Sequence, residues 1–259
     1  MLKKCNCITA IWLGIITIFD TIFTGSVTLV NALFSHRRRE IIYKWGIDWG
    51  KRALKRYKIT VRVIGRENFQ NSSGVLILSN HQSMLEAFLL SEFLNKDIVV
   101  IGKKSLKWIP GFGLMYLMSK QISLDRHNRK KAIEGLEIAR KRITEGYSIF
   151  LAPEGTRSST GKLGHLKKGF FHLALQTKAP ILPLTFVNTY KLQPKHSAKI
   201  NQGEAIMVFD TIIETNNWKP DEIDLRREEL RQIYQNNLNK YGDPEQYVPL
   251  EEHQYISKS

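Results

Sequence analysis

Short apolar runs alternate with helical patterns from residue 59 onward, and this alternation limits the possible folds more than any other feature. Continuous apolar runs, such as residues 75–78, are typical of strands buried on both faces of a parallel sheet. The alternation therefore predicts an α/β domain, in which helices flank a mixed, largely parallel sheet. The predicted strands are residues 59–64, 74–79, 98–101, 122–124, 148–151 and 181–187, and the predicted helices are residues 84–95, 128–145, 166–178 and 221–240.

An apolar segment at residues 8–34 contains 17 apolar residues and no Lys, Arg or Glu. As one helix it would extend roughly 40 Å, enough to cross a hydrocarbon core. Asp20 opposes a simple span, because a carboxylate at mid-membrane costs about 2.5–3.5 kcal/mol on insertion scales. Alternatively, Thr24, Gly25 and Ser26 break the segment into a hairpin of two shorter helices in one leaflet. Either arrangement attaches the chain to a membrane.

The charge of the chain is strongly positive, +15 over the whole sequence. Residues 221–259 hold nine acidic and five basic residues, so residues 1–220 carry +19. Such a field favours anionic partners, which include anionic lipid, phosphorylated substrates and nucleic acid. More bases follow the apolar segment than precede it, which predicts that the chain beyond residue 35 lies on the cytoplasmic side.

Residues 37–57 interleave basic residues with Ile and Trp, a pattern typical of a helix on an anionic membrane surface. A helix that packs its Trp residues on the main domain would show the same pattern. We therefore divide the chain into an anchoring segment with a basic interfacial helix (residues 1–56), an α/β domain (57–241) and a C-terminal tail (242–259). Cys5 and Cys7, the only cysteines, are too few for a disulfide framework and make a poor zinc site, so we predict no metal.

Polar residues follow four of the predicted strands. Ligands of an open parallel sheet bind outside the carboxyl ends of its strands, so we expect these residues to meet at one edge. The four sets are Asn80-His81-Gln82-Ser83, then Lys103 with Lys104 and Lys107, then Arg126, and finally Pro153-Glu154-Gly155-Thr156-Arg157.

His81 and Glu86 form the candidate catalytic pair. A neutral imidazole can accept the proton of an alcohol that attacks a thioester carbonyl. A carboxylate five residues later can fix the tautomer of the ring and stabilise the imidazolium. Ser83 and Glu86 also match a helix capping box, in which Glu86 would have a purely structural role. The spacing alone leaves both interpretations open.

Arg126 and Arg157 are candidates for bidentate binding of a phosphomonoester. Gly155 allows a close approach of the backbone to a ligand, and Glu154 either orients Arg157 or binds a hydroxyl. Each arginine taken singly is more often a surface charge. The apolar residues of Ala179-Pro-Ile-Leu-Pro183 either wall an acyl pocket or belong to the core.

Together these motifs resemble the 1-acylglycerol-3-phosphate acyltransferases, a branch of the glycerolipid acyltransferases. The resemblance covers residues 57–209 and rests on four blocks in the family's order. Two departures are Glu86, where the family usually has Asp, and Ser119-Lys120-Gln121, where the second block usually has a Gly. The blocks are Asn80-His81-Gln82-Ser83 with Glu86, Ile122-Ser-Leu-Asp-Arg126, Pro153-Glu-Gly-Thr-Arg-Ser158 and Ala179-Pro-Ile-Leu-Pro183.

The resemblance implies a single acyl transfer from acyl-coenzyme A or acyl carrier protein to the sn-2 hydroxyl of a lysophosphatidate, giving phosphatidic acid. His81, assisted by Glu86, would be the base, and no metal or redox cofactor is implied. Membrane location is implied, on the cytoplasmic face of a bacterial inner membrane. Another lyso-lipid acceptor, or a non-catalytic basic protein that binds membranes or nucleic acid, remain alternatives; our own expectation is no nucleic acid. The expected substrate-binding residues are Arg126, Glu154, Gly155, Thr156 and Arg157, with Lys103 and Lys104 added from their charge and position.

Overall fold

A computed structural model of the chain describes residues 3–70, 72–110, 112–124 and 128–242. Its centre is a seven-stranded sheet, which confirms the predicted α/β fold. Four strands, those at residues 59–64, 122–124, 148–151 and 181–187, have the predicted bounds. The strands are β1 (Ile59–Ile64), β2 (Leu76–Ser79), β3 (Ile98–Lys103), β4 (Ile122–Leu124), β5 (Ser148–Leu151), β6 (Ile181–Val187) and β7 (Gly203–Phe209).

The strands lie in the order β1-β7-β6-β2-β5-β3-β4. All neighbouring pairs are parallel except β6 and β7, which are antiparallel, so β1 and β7 run against the other five. Consequently β6, β2, β5, β3 and β4 end at the same edge of the sheet. We call this edge the carboxyl edge.

Helices cover both faces of the sheet. One core, which includes Ile149 and Phe171, lies between the sheet and the helices at residues 129–144, 169–177 and 223–241. A second, which includes Ile77 and Phe88, lies between the sheet and the helices at residues 38–56 and 86–89. The predicted helix at residues 84–95 is shorter, because a loop occupies its first two positions and a 3₁₀ turn follows residue 89. The helices are α1 (Cys7–Leu33), α2 (Arg38–Arg56), α3 (Arg66–Gln70), α4 (Glu86–Leu89), α5 (Gly113–Met118), α6 (Arg129–Thr144), α7 (Gly169–Thr177), α8 (Thr189–Leu192) and α9 (Ile223–Tyr241), and the 3₁₀ turns are Leu90–Glu92, Lys104–Trp108 and Pro220–Glu222.

The N-terminal apolar segment forms one continuous helix, α1, without a break at Gly25. It pairs with α2 through polar groups that recur on one side of α1. Asp20 forms ion pairs with Arg52 and Arg56, each at 3.1 Å. The indole N–H groups of Trp45 and Trp49 donate to threonine hydroxyls of α1 at 2.9 and 2.8 Å. We call this contact the polar seam.

The opposite side of α1 is apolar and exposed. The helix is long and apolar enough to cross a membrane: an 18-residue stretch of it has a mean hydropathy of 1.8, and only 6% of that stretch is buried. The polar seam therefore divides α1 into a side bound to α2 and a side with no cover in the described residues. The most exposed large side chains on α1 are Ile8, Ile11, Trp12, Ile18 and Phe19.

Both ends of α1 contact the α/β domain. At the N-terminal end, the backbone groups of Lys3 and Gln202 exchange hydrogen bonds of 3.1 and 3.0 Å, and the Cys5 N–H donates to Asn201 Oδ1 at 3.1 Å. Near the other end, Ala32 packs in one cluster with Met115 of α5. The helix therefore begins and ends against the same domain.

Candidate active site

Three of the four predicted polar sets lie at the carboxyl edge. The strands that precede them, β2, β5 and β3, are neighbours and run in the same direction. The edge thus brings together the residues that follow Ser79, Leu151 and Ile101. Arg126, the fourth prediction, lies outside the described residues, although β4 directly before it pairs with β3 at this edge.

His81 and Glu86 are in direct contact. The Nδ1 atom of His81 lies 2.5 Å from Oε2 of Glu86. A carboxylate can only accept, so the imidazole donates from Nδ1 and keeps a lone pair on Nε2. The His81 side chain is 27% exposed, whereas that of Glu86 is 6% exposed. A buried carboxylate therefore orients a ring that remains accessible from solvent.

The second oxygen of Glu86 makes only half of the predicted capping box: it accepts from the Ser83 N–H, but α4 begins at Glu86 and the Ser83 hydroxyl accepts from Leu85. Oε1 accepts from the backbone N–H groups of Gln82 and Ser83, both at 2.8 Å, and from the hydroxyl of Thr189 at 2.9 Å. Glu86 is also the first residue of α4. The catalytic and the structural interpretation of Glu86 are therefore compatible, because one oxygen serves each.

Two residues support this arrangement: Thr189, which the sequence reasoning missed, and Asn80, which it named without a role. Thr189, which binds Glu86, comes two residues after β6 and therefore follows a strand end at the same edge. Applying the strand-end rule to β6 as well would have found it. Asn80 exchanges hydrogen bonds with the backbone of Phe186, at 2.9 and 2.7 Å, and so fixes the end of β2 beside β6.

Glu154 is buried and contacts backbone rather than Arg157. Its Oε1 accepts from the N–H of His81 at 2.8 Å and its Oε2 from the N–H of Gly164 at 2.9 Å. Burial raises the pKa of Glu154 to about 7, against the opposing effect of these two N–H donors. Both oxygens of Glu154 thus bind loop backbone, and neither bonds to Arg157 as the sequence suggested.

Arg157 directly precedes a residue that is bonded to the His81 backbone. The following residue, Ser158, donates its backbone N–H to the His81 carbonyl at 2.9 Å. The arginine side chain is half-buried, and in the described part of the chain no carboxylate lies within salt-bridge distance of it. A partly desolvated guanidinium without a counter-ion is suited to an anionic ligand.

Gly155 has the left-handed conformation expected of a glycine turn, with φ +74°. A Cβ at this position would lie 2.8 Å from Cε of Lys167, so the lysine side chain passes directly over the turn. Lys167 is a further cation at the site that the sequence did not reveal, because it follows no strand. Thr156, the next residue, is exposed.

Lys103 and Lys104 are exposed at the end of β3. The proline motif, by contrast, belongs to the core: Ile181, Leu182 and Leu184 of β6 have no exposed surface. The alternative that these residues wall an acyl pocket is therefore not needed. The described residues contain no group of three or more His, Cys, Asp and Glu side chains that could hold a metal ion.

Comparison with known proteins gives consistent similarities. A family model described as Acyltransferase matches residues 60–187. Proteins named 1-acyl-sn-glycerol-3-phosphate acyltransferase are similar to the chain: those of Cocos nucifera and Saccharomyces cerevisiae are 34% and 35% identical over 70% and 71% of it. The alignments span 58% and 61% of those two proteins, less than two thirds of their length. A relative from Salmonella typhimurium is 27% identical, over 81% of this chain and 84% of its own.

The fold is also similar to a solved structure. The crystal structure of a 1-acyl-sn-glycerophosphate (LPA) acyltransferase from Thermotoga maritima matches with a TM-score of 0.78. The match covers 90% of this chain and 95% of that chain, at 24% sequence identity. The similarity is one of fold, that is, of the arrangement of helices and strands.

Proposed function

We propose that the chain is an acyltransferase, as the family model and the named relatives support, and that it transfers a fatty acyl group from a thioester to the sn-2 hydroxyl of 1-acyl-sn-glycerol-3-phosphate. The product would be phosphatidic acid. The contact between His81 and Glu86 carries the proposal, because it supplies an oriented base at an accessible edge. The identity of the proposed acceptor is taken from the names of the relatives.

The proposed chemistry is one displacement at the thioester carbonyl. The Nε2 atom of His81 accepts the proton of the acceptor hydroxyl while the oxygen attacks the carbonyl carbon. The carboxylate of Glu86 stabilises the imidazolium that forms. When the C–S bond breaks, the imidazolium returns the proton to the departing thiolate. The donor would be acyl-coenzyme A or acyl carrier protein.

Cations at the carboxyl edge would hold the acceptor phosphate. Arg157 is supported by its position and its lack of a carboxylate partner among the described residues. Arg126, although outside those residues, follows a strand that ends at the same edge. The backbone of Gly155 and the hydroxyl of Thr156 would contact the glycerol, and Lys103 and Lys104 would receive phosphates of the substrates.

Glu154 would support this site rather than bind the acceptor. Its two bonds join the backbone of His81 to that of Gly164. The carbonyl of His81 also accepts from the backbone N–H of Ser158, so two separate bonds join the loop after β2 to the loop after β5. We infer that Glu154 is a positioning residue that holds the loop of the base against the loop of Arg157.

We also propose that α1 lies along one leaflet instead of spanning the membrane. A spanning helix would place its ends on opposite sides of a hydrocarbon core about 30 Å thick. Here Lys3 and Ala32 both contact the α/β domain, which supports a position in one leaflet. The exposed side of α1 would enter the leaflet while the polar seam binds α2. The basic N-terminal region favours the cytoplasmic leaflet of a bacterial inner membrane.

A thiol-release assay tests the proposed reaction. The full chain is reconstituted in vesicles with 1-acyl-sn-glycerol-3-phosphate, and coenzyme A and carrier-protein thioesters are compared as donors. We expect thiol release that requires the acceptor. The same assay with other lyso-lipids tests the acceptor: if lysophosphatidate is the poorest of them, the proposed substrate is wrong. Steeply salt-dependent binding to DNA without acyl transfer would overturn the enzymatic proposal altogether.

A further inference from the structure

The connection between β3 and β4 carries an apolar surface that the proposed reaction does not use. Trp108 is 76% exposed, Ile109 40%, Leu114 49% and Leu117 51%. Single exposed apolar side chains are common, but a cluster of them marks an interaction surface. We call these four residues the β3–β4 patch.

Packing fixes the direction in which the patch faces. The hydroxyl of Tyr116 donates to the carbonyl of Ile122 at 2.7 Å, which ties α5 to β4. A Cβ on Gly113 would lie 1.9 Å from the carbonyl oxygen of Lys107, so α5 begins directly against the preceding 3₁₀ turn. The turn and α5 therefore form one compact unit, with Met115 buried on the inner side at 1% exposure.

The helix that carries half of the patch, α5, packs against the C-terminal end of α1. Met115 packs in the same cluster as Ala32 of α1 and Trp45 of α2, and the rings of Trp45 and Phe112 lie 6.2 Å apart. Ala32 is followed by Leu33, which is 56% exposed. The apolar surface of α1 thus ends where α5 is packed against it.

The charges around the patch select an anionic partner. Residues 98–124 contain no Asp or Glu. Lys103 and Lys104 are exposed immediately before the patch, and Nζ of Lys107 lies 4.9 Å from the centroid of the Trp108 ring. Exposed Trp and aliphatic side chains bordered by lysines are typical of elements that enter the headgroup region of an anionic bilayer.

We propose that the β3–β4 patch is a second membrane contact, which inserts into the headgroup region of the leaflet that holds α1. Lys103 and Lys107 then lie at the level of the lipid phosphates. Since Lys103 ends β3 at the carboxyl edge, this contact turns the edge that carries His81 toward the bilayer surface. The inference rests on the proposed membrane attachment of α1.

Depth-dependent fluorescence quenching tests the contact without requiring acyl transfer. The full chain with Cys5→Ser and Cys7→Ser receives one cysteine by Leu117→Cys, labelled with a nitrobenzoxadiazole dye. Vesicles of phosphatidylglycerol and phosphatidylcholine carry spin labels near the headgroup or deep in the acyl chains. Ile133→Cys on α6, which is 58% exposed, is the matched control, and Ile15→Cys on α1, 52% exposed, reports the attachment of the helix.

We expect shallow spin labels to quench the dye at position 117 but not at position 133. If the dye at 15 is quenched while those at 117 and 133 remain equally open to an aqueous quencher, the patch proposal is wrong and the attachment of α1 stands. If the dye at 15 is also unquenched, both fail. Protection at 117 without spin-label quenching, increasing with protein density at constant lipid, would make a second copy of the chain the partner and overturn the proposal.

The charge part of the proposal has its own test. Lys103→Gln with Lys107→Gln, made in the Leu117→Cys chain, should reduce quenching at position 117 in vesicles that contain phosphatidylglycerol. It should have no such effect in vesicles of phosphatidylcholine alone. Equal quenching of the two chains in both kinds of vesicle would show that the lysines do not contact lipid phosphates.

Discussion

Two largely buried carboxylates, Glu86 at the carboxyl edge and Asp20 in α1, are bound in opposite ways. Glu86 binds an imidazole, two backbone N–H groups and a hydroxyl. Asp20 binds two guanidinium groups, those of Arg52 and Arg56. The backbone donors orient Glu86 without a full counter-charge, so its charge remains available to an imidazolium. The charge of Asp20 is already neutralised, and its contacts serve to dock α1 on α2.

The largest effect is expected from the base that Glu86 orients. His81→Ala should lower kcat by about 10⁴-fold, because it removes the proton acceptor while leaving the backbone bonds of the loop in place. Thiol release with vesicle-bound acceptor measures the loss. His172→Ala, which changes an exposed ring on α7, is the matched control. Substantial activity of the His81→Ala chain would remove the proposed chemistry.

Glu86→Gln separates the two roles of this side chain. The amide oxygen can still accept from Gln82 and Ser83, but the amide nitrogen would donate to Nδ1 of His81. The proton of the ring then moves to Nε2, where the acceptor hydroxyl needs a lone pair. We expect kcat to fall by about 10³-fold with little change in thermal unfolding. A fully active variant would leave Glu86 only the structural role of its Oε1 contacts.

Glu154 extends the comparison to a carboxylate bound only by backbone donors. Its pKa is about 7 in the folded chain, against 4.5 as the ordinary value. Between these values the folded state holds one more proton than the unfolded state, so the free energy of unfolding falls as pH rises. The fall attributable to Glu154 is on the order of 3 kcal/mol.

Denaturant unfolding of the wild-type and Glu154→Gln chains across this pH range measures that contribution. The amide does not titrate, so the variant should show a flatter pH dependence. It should also be less stable at low pH, because its amide nitrogen would face one of the two N–H donors. Parallel pH profiles would show that Glu154 does not take up the proton on folding.

The comparison also extends to cations: Arg157 is proposed to bind the acceptor phosphate, whereas the arginines of the polar seam bind Asp20. Arg157→Ala should raise the KM for the lysophosphatidate about 10- to 100-fold with a smaller effect on kcat, because charge-assisted bonds to a phosphate are lost. Arg62→Ala, which breaks an exposed pair with Glu204, serves as the control. A change confined to kcat would indicate that Arg157 acts on the reacting atoms instead.

The smallest effect is expected at the polar seam. Asp20→Asn removes the partner of two guanidinium groups and should weaken the docking of α1 on α2 by about 1 kcal/mol, since Arg52 is partly solvated. Protease accessibility of the segment between α1 and α2 measures the change, with kcat unaffected for a soluble short-chain acceptor. Asp48→Asn, at an exposed position of α2, is the control. If Asp20→Asn lowered kcat more than Glu86→Gln does, Asp20 and not Glu86 would be the carboxylate that serves catalysis.

The sequence predicted most strands because buried parallel strands are local apolar runs, as at residues 148–151 and 181–187. It missed β7, Gly203–Phe209, although residues 205–209 form an apolar run of the same kind, so the same rule would have found this strand. What the run does not reveal is its pairing, parallel to the distant β1 and antiparallel to β6. Such pairing leaves no periodic signal of its own.

The candidate site was predictable as a set of residues but not as a network. His81 and Glu86 are five residues apart, so their spacing alone could suggest their contact. The bonds between Glu154 and His81 and between Thr189 and Glu86 join loops that only the sheet brings together. Glu154 was expected to act on a neighbour in sequence, whereas one of its partners, His81, lies across the carboxyl edge.

The bonds between Lys3 and Gln202 also constrain the order of events during synthesis. A ribosome completes α1 long before it reaches residue 202, so the helix must first exist without the domain that holds its beginning. Its apolar side is then free to enter a bilayer while translation continues. We therefore expect membrane delivery to precede folding of the remainder, with closure of the N-terminal contact among the last steps of maturation.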